Sequence, residues 1–108
     1  MKNVLLESLL TFYMEDPADP FNIYALALEY SKTDSIEAGK YFEKLLAEHA
    51  GYLPTYYHAG ELFIQLGDLA KAEGIYKKGI GIALNQGNNK THQELVRAYR
   101  NLLDELED

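Results

Sequence analysis

Side chains that could carry out chemistry are few in this sequence, and they are scattered along it. His58 and Glu61 lie three residues apart, so on a helix they would share a face and could transfer a proton or bind a metal ion together. A metal site needs three or four ligands, but the other histidines, His49 and His92, belong to separate segments. No serine lies in a nucleophile-elbow sequence, and no glycine-rich phosphate loop follows a strand. The sequence therefore predicts a protein that is not an enzyme and that needs no metal or other cofactor.

Arginine is the second residue type with a clear chemical meaning here. The two arginines of the chain, Arg97 and Arg100, are close together, whereas the lysines are spread along the sequence. The arginine side chain is a planar fork that can hold a carboxylate or a phosphate with two hydrogen bonds, and arginine is enriched at binding hot spots. The alternative is that both side chains pair with Glu94 or Asp104 on their own helix. The sequence leaves both interpretations open.

Length and charge restrict the class of protein. A chain of 108 residues is long enough for one domain with a modest core. Its formal net charge of −7 provides no positive field that would attract a nucleic acid. The absence of cysteine excludes a disulfide framework, a thiolate zinc site and a cysteine nucleophile. No stretch resembles a membrane span or a secretory signal, so we expect a cytoplasmic protein without a membrane or nucleic-acid partner.

The elements that must position these residues are helices. Apolar residues recur at spacings of three and four, and no alternating stretch of strand length is present. Clusters of proline, glycine and aspartate divide the chain into about six helices. The longest loop is expected at residues 85–89. The last helix is then expected to begin with a capping box, in which Thr91 and Glu94 satisfy each other's free backbone amides.

The helical pattern repeats along the chain. Ala38 and Phe42 recur 34 residues later as Ala72 and Tyr76. A second set recurs after 33 residues: Ile23, Leu26, Ala27 and Tyr30 become Tyr56, Ala59, Gly60 and Phe63. Both sets resemble the pattern of the tetratricopeptide repeat (TPR) family, in which small residues allow two helices to approach and large residues fill the space between them. The resemblance implies an all-α fold, a TPR-type α-solenoid of about six antiparallel helices.

The resemblance covers nearly the whole chain and implies a single TPR-like domain over residues 1–108. It divides the domain into an N-terminal half-repeat helix at 1–16, a first repeat at 20–50, a second repeat at 53–85 and a capping helix at 90–106. The second repeat fits the pattern better. The first departs from it at Ile23, in place of an aromatic residue, and at Leu45, where a small residue is usual.

TPR proteins line a concave groove with the first helix of each repeat, so the resemblance also implies which residues face a partner. These residues lie beside the packing stripe: Tyr24, Leu28, Tyr57, His58, Glu61, Gln65, Arg97 and Arg100. Chaperone-binding TPR proteins use a carboxylate clamp, of which only the arginine is matched here, by Arg97; the other positions hold Tyr24, Leu28, His58 and Gln93. The expected ligand is therefore a protein or peptide with an aromatic or aliphatic anchor and an acidic group, rather than a chaperone tail.

The first helix has two apolar stripes. Its core face is predicted to consist of Leu5, Leu9 and Phe12. The second stripe consists of Leu6, Leu10 and Tyr13. Because exposed apolar surface usually marks an interaction site, the second stripe is a candidate for self-association as a homodimer; the alternative is that it packs on the first repeat.

Two functions follow from these expectations. The leading one is a non-catalytic adaptor or scaffold that binds a peptide or a partner helix in its groove. The alternative is a structural or oligomerisation module that self-associates through its N-terminal helix.

Overall fold

A computed structural model describes residues 3–107 of the chain. It contains six α-helices, and none of the residues from 3 to 107 forms a β-strand. The helices are α1 (Val4–Glu15), α2 (Pro20–Ser31), α3 (Ser35–Glu48), α4 (Pro54–Gln65), α5 (Leu69–Gln86) and α6 (Asn89–Glu107). The predicted all-α class is confirmed. In this part of the chain no helix is both long and apolar enough to cross a membrane.

Most helices begin after an asparagine or an aspartate that caps them. The amide of Leu6 donates a hydrogen bond of 2.9 Å to Oδ1 of Asn3, at the start of α1. Equivalent caps for α2, α3, α5 and α6 are provided by Asp19, Asp34, Asp68 and Asn88. These side chains satisfy amides that have no partner in the first turn of a helix. The remaining helix, α4, begins at Pro54, and proline is favoured in a first turn because it has no amide to satisfy.

The connection between α5 and α6 differs from the one expected. The first of these helices continues to Gln86 and the second begins at Asn89, so only two residues join them instead of a longer loop. Gly87 makes this short turn possible with a φ of +71°, in the left-handed region. The amide of Thr91 then donates to Oδ1 of Asn88 at 3.0 Å, which makes Asn88 the cap. The predicted capping box at Thr91 is wrong, because the tight turn starts the helix earlier.

The described chain divides into two compact units between Thr55 and Tyr56. In the first unit, α2 and α3 pack against each other as a hairpin, and α1 packs against α2. The core of this unit includes Ile23, Leu26, Ala27, Ala38, Phe42 and Leu45, all without exposed surface. The small and large residues of the repeat pattern are therefore packing residues here, as the resemblance implied.

The second unit contains most of α4 together with α5 and α6. Two glycines allow its helices to approach closely. A Cβ atom on Gly60 would overlap the ring of Tyr76, and a Cβ atom on Gly79 would lie 2.7 Å from Cβ of Tyr56 and 3.0 Å from Cδ1 of Leu95. These separations are shorter than ordinary van der Waals contacts, so the packing depends on the missing side chains.

The packed side of α1 is rotated from the predicted one. Leu5 and Phe12, expected in the core, are 52% and 53% exposed, and Leu9 is half-buried. The half-buried side of the helix also carries Leu6, Leu10 and Tyr13. The ring of Tyr13 lies edge-on to that of Tyr41 on α3, with 5.7 Å between centroids. The prediction that Leu5 and Phe12 form the core face is wrong, because apolar residues surround much of α1 and the pattern alone does not show which side packs.

Candidate partner-binding site

Two of the predicted groove residues, Tyr24 and Leu28, lie on α2 in the first unit and are half-buried. The ring of Tyr24 lies edge-on to that of Tyr52, with 5.6 Å between centroids. Burial, and then the neighbouring phenol of Tyr52, raise the pKa of Tyr24 above its ordinary value. Their role in a groove stays a prediction from the resemblance.

The second unit brings Tyr57 and Arg97 together. They line one cavity of about 270 Å³, with Glu94, Ala98 and Asn101 as its other lining residues. Tyr57 projects from α4 and is 37% exposed, whereas the other four residues belong to α6. An aromatic side chain on one helix and a guanidinium group on another thus share one accessible cavity.

Arg97 also lines a second cavity, of about 280 Å³, on one face of α6. Its other lining residues are His92, Gln93, Val96 and Arg100. Every polar side chain in this set can donate a hydrogen bond, and no carboxylate is among them. We call this set the basic cavity.

Neither arginine is neutralised by the described part of the chain. Helix geometry would allow Arg97 to pair with Glu94 and Arg100 with Asp104. No such ion pair and no side-chain hydrogen bond of either arginine is present among residues 3–107. Both guanidinium groups are therefore available to a ligand with a negative charge.

His58 and Glu61 do share a face of α4. Nδ1 of His58 lies 3.9 Å from Oε1 of Glu61, a contact that becomes an ion pair only when the histidine is protonated. The His58 ring also lies edge-on to that of Tyr57, at 5.5 Å between centroids. Within residues 3–107 no group of three or more histidine, aspartate or glutamate side chains could hold a metal ion.

Gln65, another predicted groove residue, is the exposed last residue of α4 and lies more than two turns from Tyr57.

A third cavity, of about 160 Å³, contains residues that the sequence analysis did not assign to a site. It is lined by Tyr57, Glu61, Ile64, Tyr76, Ala98, Asn101, Leu102 and Glu105. We call it the acidic cavity, because its two charged residues are Glu61 and Glu105. Burial, followed by the nearby Glu61 and Tyr57, raises the pKa of Tyr76 to about 12.

The sequence contained one signal for this cavity. Tyr76 occupies the repeat position that Phe42 occupies in the first copy, so the second copy places a hydroxyl group where packing needs only a ring. Because a buried hydroxyl needs a polar partner, such a substitution within a repeat is a reason to look for a polar feature nearby.

Comparisons with solved structures place the chain in a known group. A TPR domain protein from Salinibacter ruber, solved by NMR in solution, is 39% identical, with a TM-score of 0.76 over 81% of this chain and 89% of that one. A crystal structure of the same Salinibacter ruber domain aligns at 36% identity, with a TM-score of 0.74 over 78% and 96% of the two chains. A Bordetella parapertussis protein with 20% identity has the same fold, with a TM-score of 0.80 over 97% and 91%. No family model and no curated protein matches the sequence.

The fold is thus that of a helical repeat protein of the TPR-type solenoid class, as predicted. The chain belongs to the TPR family. Its general character is that of a repeat module for protein interaction.

Proposed function

We propose that this protein is a non-catalytic cytoplasmic adaptor, and that it binds a peptide or a helix of its partner on the surface that α4 and α6 form in the second unit. The observation that carries this proposal is that Tyr57 and Arg97 line the same cavity. Tyrosine and arginine are the residue types that contribute most often to hot spots, because each combines a large contact area with a hydrogen-bonding group.

The charge of the surface favours a ligand with an acidic group. Arg97 and Arg100 have no ion pair with any of residues 3–107, and His92 and Gln93 add further donors in the basic cavity. Val96 supplies an apolar contact between them. A carboxylate or phosphoryl group would therefore find charge-assisted hydrogen bonds there, while an aromatic or aliphatic side chain of the partner packs beside Tyr57.

The test compares what wild-type protein and a Tyr57→Ala, Arg97→Glu variant capture from a lysate of the source cells. Capture is quantified by mass spectrometry, and circular dichroism melting checks that both proteins are folded. A Leu84→Ala, Lys90→Glu variant is the matched control, because it makes the same kinds of change at exposed positions of α5 and α6. We expect a partner whose captured amount is unchanged with the control variant and falls at least tenfold with the Tyr57→Ala, Arg97→Glu variant. Equal capture by all three proteins would contradict the proposal.

A structural or oligomerisation role is the second candidate, and the exposure of Leu5 and Phe12 on α1 favours it. Leu6, Leu10 and Tyr13 already lie on the half-buried side of α1, so self-association through them stays a prediction that would require them to leave contacts within their own unit. Light scattering at about 100 µM measures the outcome. A dimer would have twice the 12.3 kDa mass, and a Leu5→Glu, Phe12→Glu variant would return it to the monomer.

A further inference from the structure

Among residues 3–107, the lining of the acidic cavity carries two negatively charged side chains and no positively charged one. Glu61 and Glu105 both line it, and none of its lining residues is a lysine, an arginine or a histidine. Glu105 has no ion pair within residues 3–107, and Glu61 lies 3.9 Å from Nδ1 of His58, a contact that becomes an ion pair only when the histidine is protonated. A cation placed between two carboxylates is attracted by both of them.

A largely buried tyrosine adds a further polar group to the lining of the same cavity. Tyr76 is only 1% exposed, and its hydroxyl makes no hydrogen bond with any described residue. Because the Tyr76 oxygen is not one of the fully buried polar atoms without a partner, the hydroxyl keeps some exposed surface that a ligand can reach. Burial and the nearby carboxylate of Glu61 raise its pKa, so the group remains a neutral phenol whose oxygen can accept a hydrogen bond at physiological pH.

The residues that line the cavity favour a lysine side chain over a bare metal ion. The remaining walls of the cavity are the apolar Ile64, Ala98 and Leu102, the aromatic Tyr57 and the polar Asn101. A bare metal ion would gain nothing from the apolar walls, whereas the four-carbon stem of a lysine would pack against them. The ammonium group of a lysine has three donors, and the residues that line the cavity include acceptors in Glu61, Glu105, Asn101 and Tyr76. An aromatic ring beside an ammonium group adds a further attraction.

We propose that the acidic cavity binds the ammonium group of a lysine side chain of the protein partner. This inference rests on the proposed function, since Tyr57 lines both this cavity and the one that contains Arg97. The partner segment then carries a lysine for the acidic cavity and an acidic group for the basic cavity. Arg97 and Glu105 are eight residues apart on α6, or roughly 12 Å along the helix axis. In an extended segment that distance corresponds to about four residues between the two charges.

The lysine can be tested without knowing the partner. The full chain, labelled with ¹⁵N, is titrated with Nα-acetyl-lysine amide and with Nα-acetyl-norleucine amide, which has the same stem without the charge. We expect the lysine compound to shift the amide signals of Tyr76, Asn101 and Glu105 saturably, with a dissociation constant on the order of 1–10 mM. We expect the norleucine compound to bind at least fivefold more weakly, and 0.5 M NaCl to weaken the lysine compound.

Three variants assign the binding to the cavity. Glu105→Gln keeps the size of the side chain and removes a charge, and it should weaken the lysine compound at least fivefold. Tyr76→Phe removes only the hydroxyl and should also weaken it. Glu107→Gln, an exposed position near the end of the same helix, is the control and should leave binding unchanged.

The inference is overturned if both compounds shift the same signals equally, or if Glu105→Gln combined with Glu61→Gln leaves the lysine titration unaltered. Tighter binding of Nα-acetyl-arginine amide would overturn the choice of lysine. The capture experiment with the Tyr57 and Arg97 variant gives a separate answer. If capture depends on Tyr57 and Arg97 while the lysine compound does not bind, the adaptor role stands. Only the assignment of a lysine to the acidic cavity is then wrong. If the lysine compound binds but capture does not depend on Tyr57 and Arg97, the assignment of this cavity to a partner is wrong.

Discussion

The ring of Tyr76 on α5 fills the space that a side chain at Gly60 on α4 would occupy. This one relationship joins the two helices and makes Tyr76 part of the lining of the acidic cavity. The stability of the second unit and the chemistry of its surface therefore depend on the same residue pair.

Replacing Gly60 should accordingly destabilise the protein. In Gly60→Ala the new Cβ would overlap a buried aromatic ring that has little room to move, and we expect a loss of roughly 1–3 kcal/mol in the free energy of unfolding. Gly60→Leu should be at least as damaging. Urea denaturation measures both. Gly74→Ala is the control, because nothing lies within 4 Å of its added Cβ and alanine favours a helix, so this variant should gain up to about 1 kcal/mol. Equal stability of the two alanine variants would contradict the packing.

The start of α6 offers a test of the capping assignment. Asn88→Ala removes the side chain that accepts a hydrogen bond from the Thr91 amide, and we expect a loss of about 0.5–2 kcal/mol. Thr91→Ala changes a residue within the first turn of α6 and should cost less than about 0.5 kcal/mol. Thermal melting compares the two. A larger effect at Thr91 would restore the capping box that the sequence predicted.

High pH should destabilise the protein through Tyr76. Its pKa is about 12 in the folded chain, against an ordinary value of 10.0. A group whose pKa is raised on folding stabilises the folded state fully below the unfolded pKa. That contribution is lost as the pH rises from about 10 through about 12.

The measurement is the urea midpoint at a series of pH values. Tyr76→Phe cannot ionise, so its midpoint should fall less steeply than that of the wild type in this range. Tyr24 and Tyr56 have raised pKa values as well and should give the variant some remaining slope. Parallel curves for the two proteins would show that Tyr76 ionises no differently in the folded and unfolded chains.

The orientation of α1 can be checked by paired substitutions. Leu10 is on the half-buried side of the helix and Leu5 on the exposed side. Leu10→Ala removes packed methyl groups and should destabilise by roughly 1–2 kcal/mol, whereas Leu5→Ala should change stability by less than about 0.5 kcal/mol. Chemical denaturation at low protein concentration gives both values in the absence of self-association. The reverse order would support the core face that the sequence analysis predicted.

The sequence by itself determined the helices and the family pattern. Spacings of three and four residues mark an apolar face on a helix, and the recurrence of Ala38 and Phe42 as Ala72 and Tyr76 marks the repeat. These features are readable because they arise from contacts that every copy must make. A close helix approach requires a small residue such as Gly60, whatever else the protein does.

Tertiary structure alone decided the orientation of α1 and the composition of the cavities. Much of α1 is apolar around its circumference, so its pattern suits either orientation, and only the packing on α2 and α3 leaves Leu5 exposed. Tyr57, Tyr76 and Glu105 come from three helices and meet at one cavity through their packing. No spacing along the chain encodes such a meeting, because it depends on how side chains of different helices fit together in space.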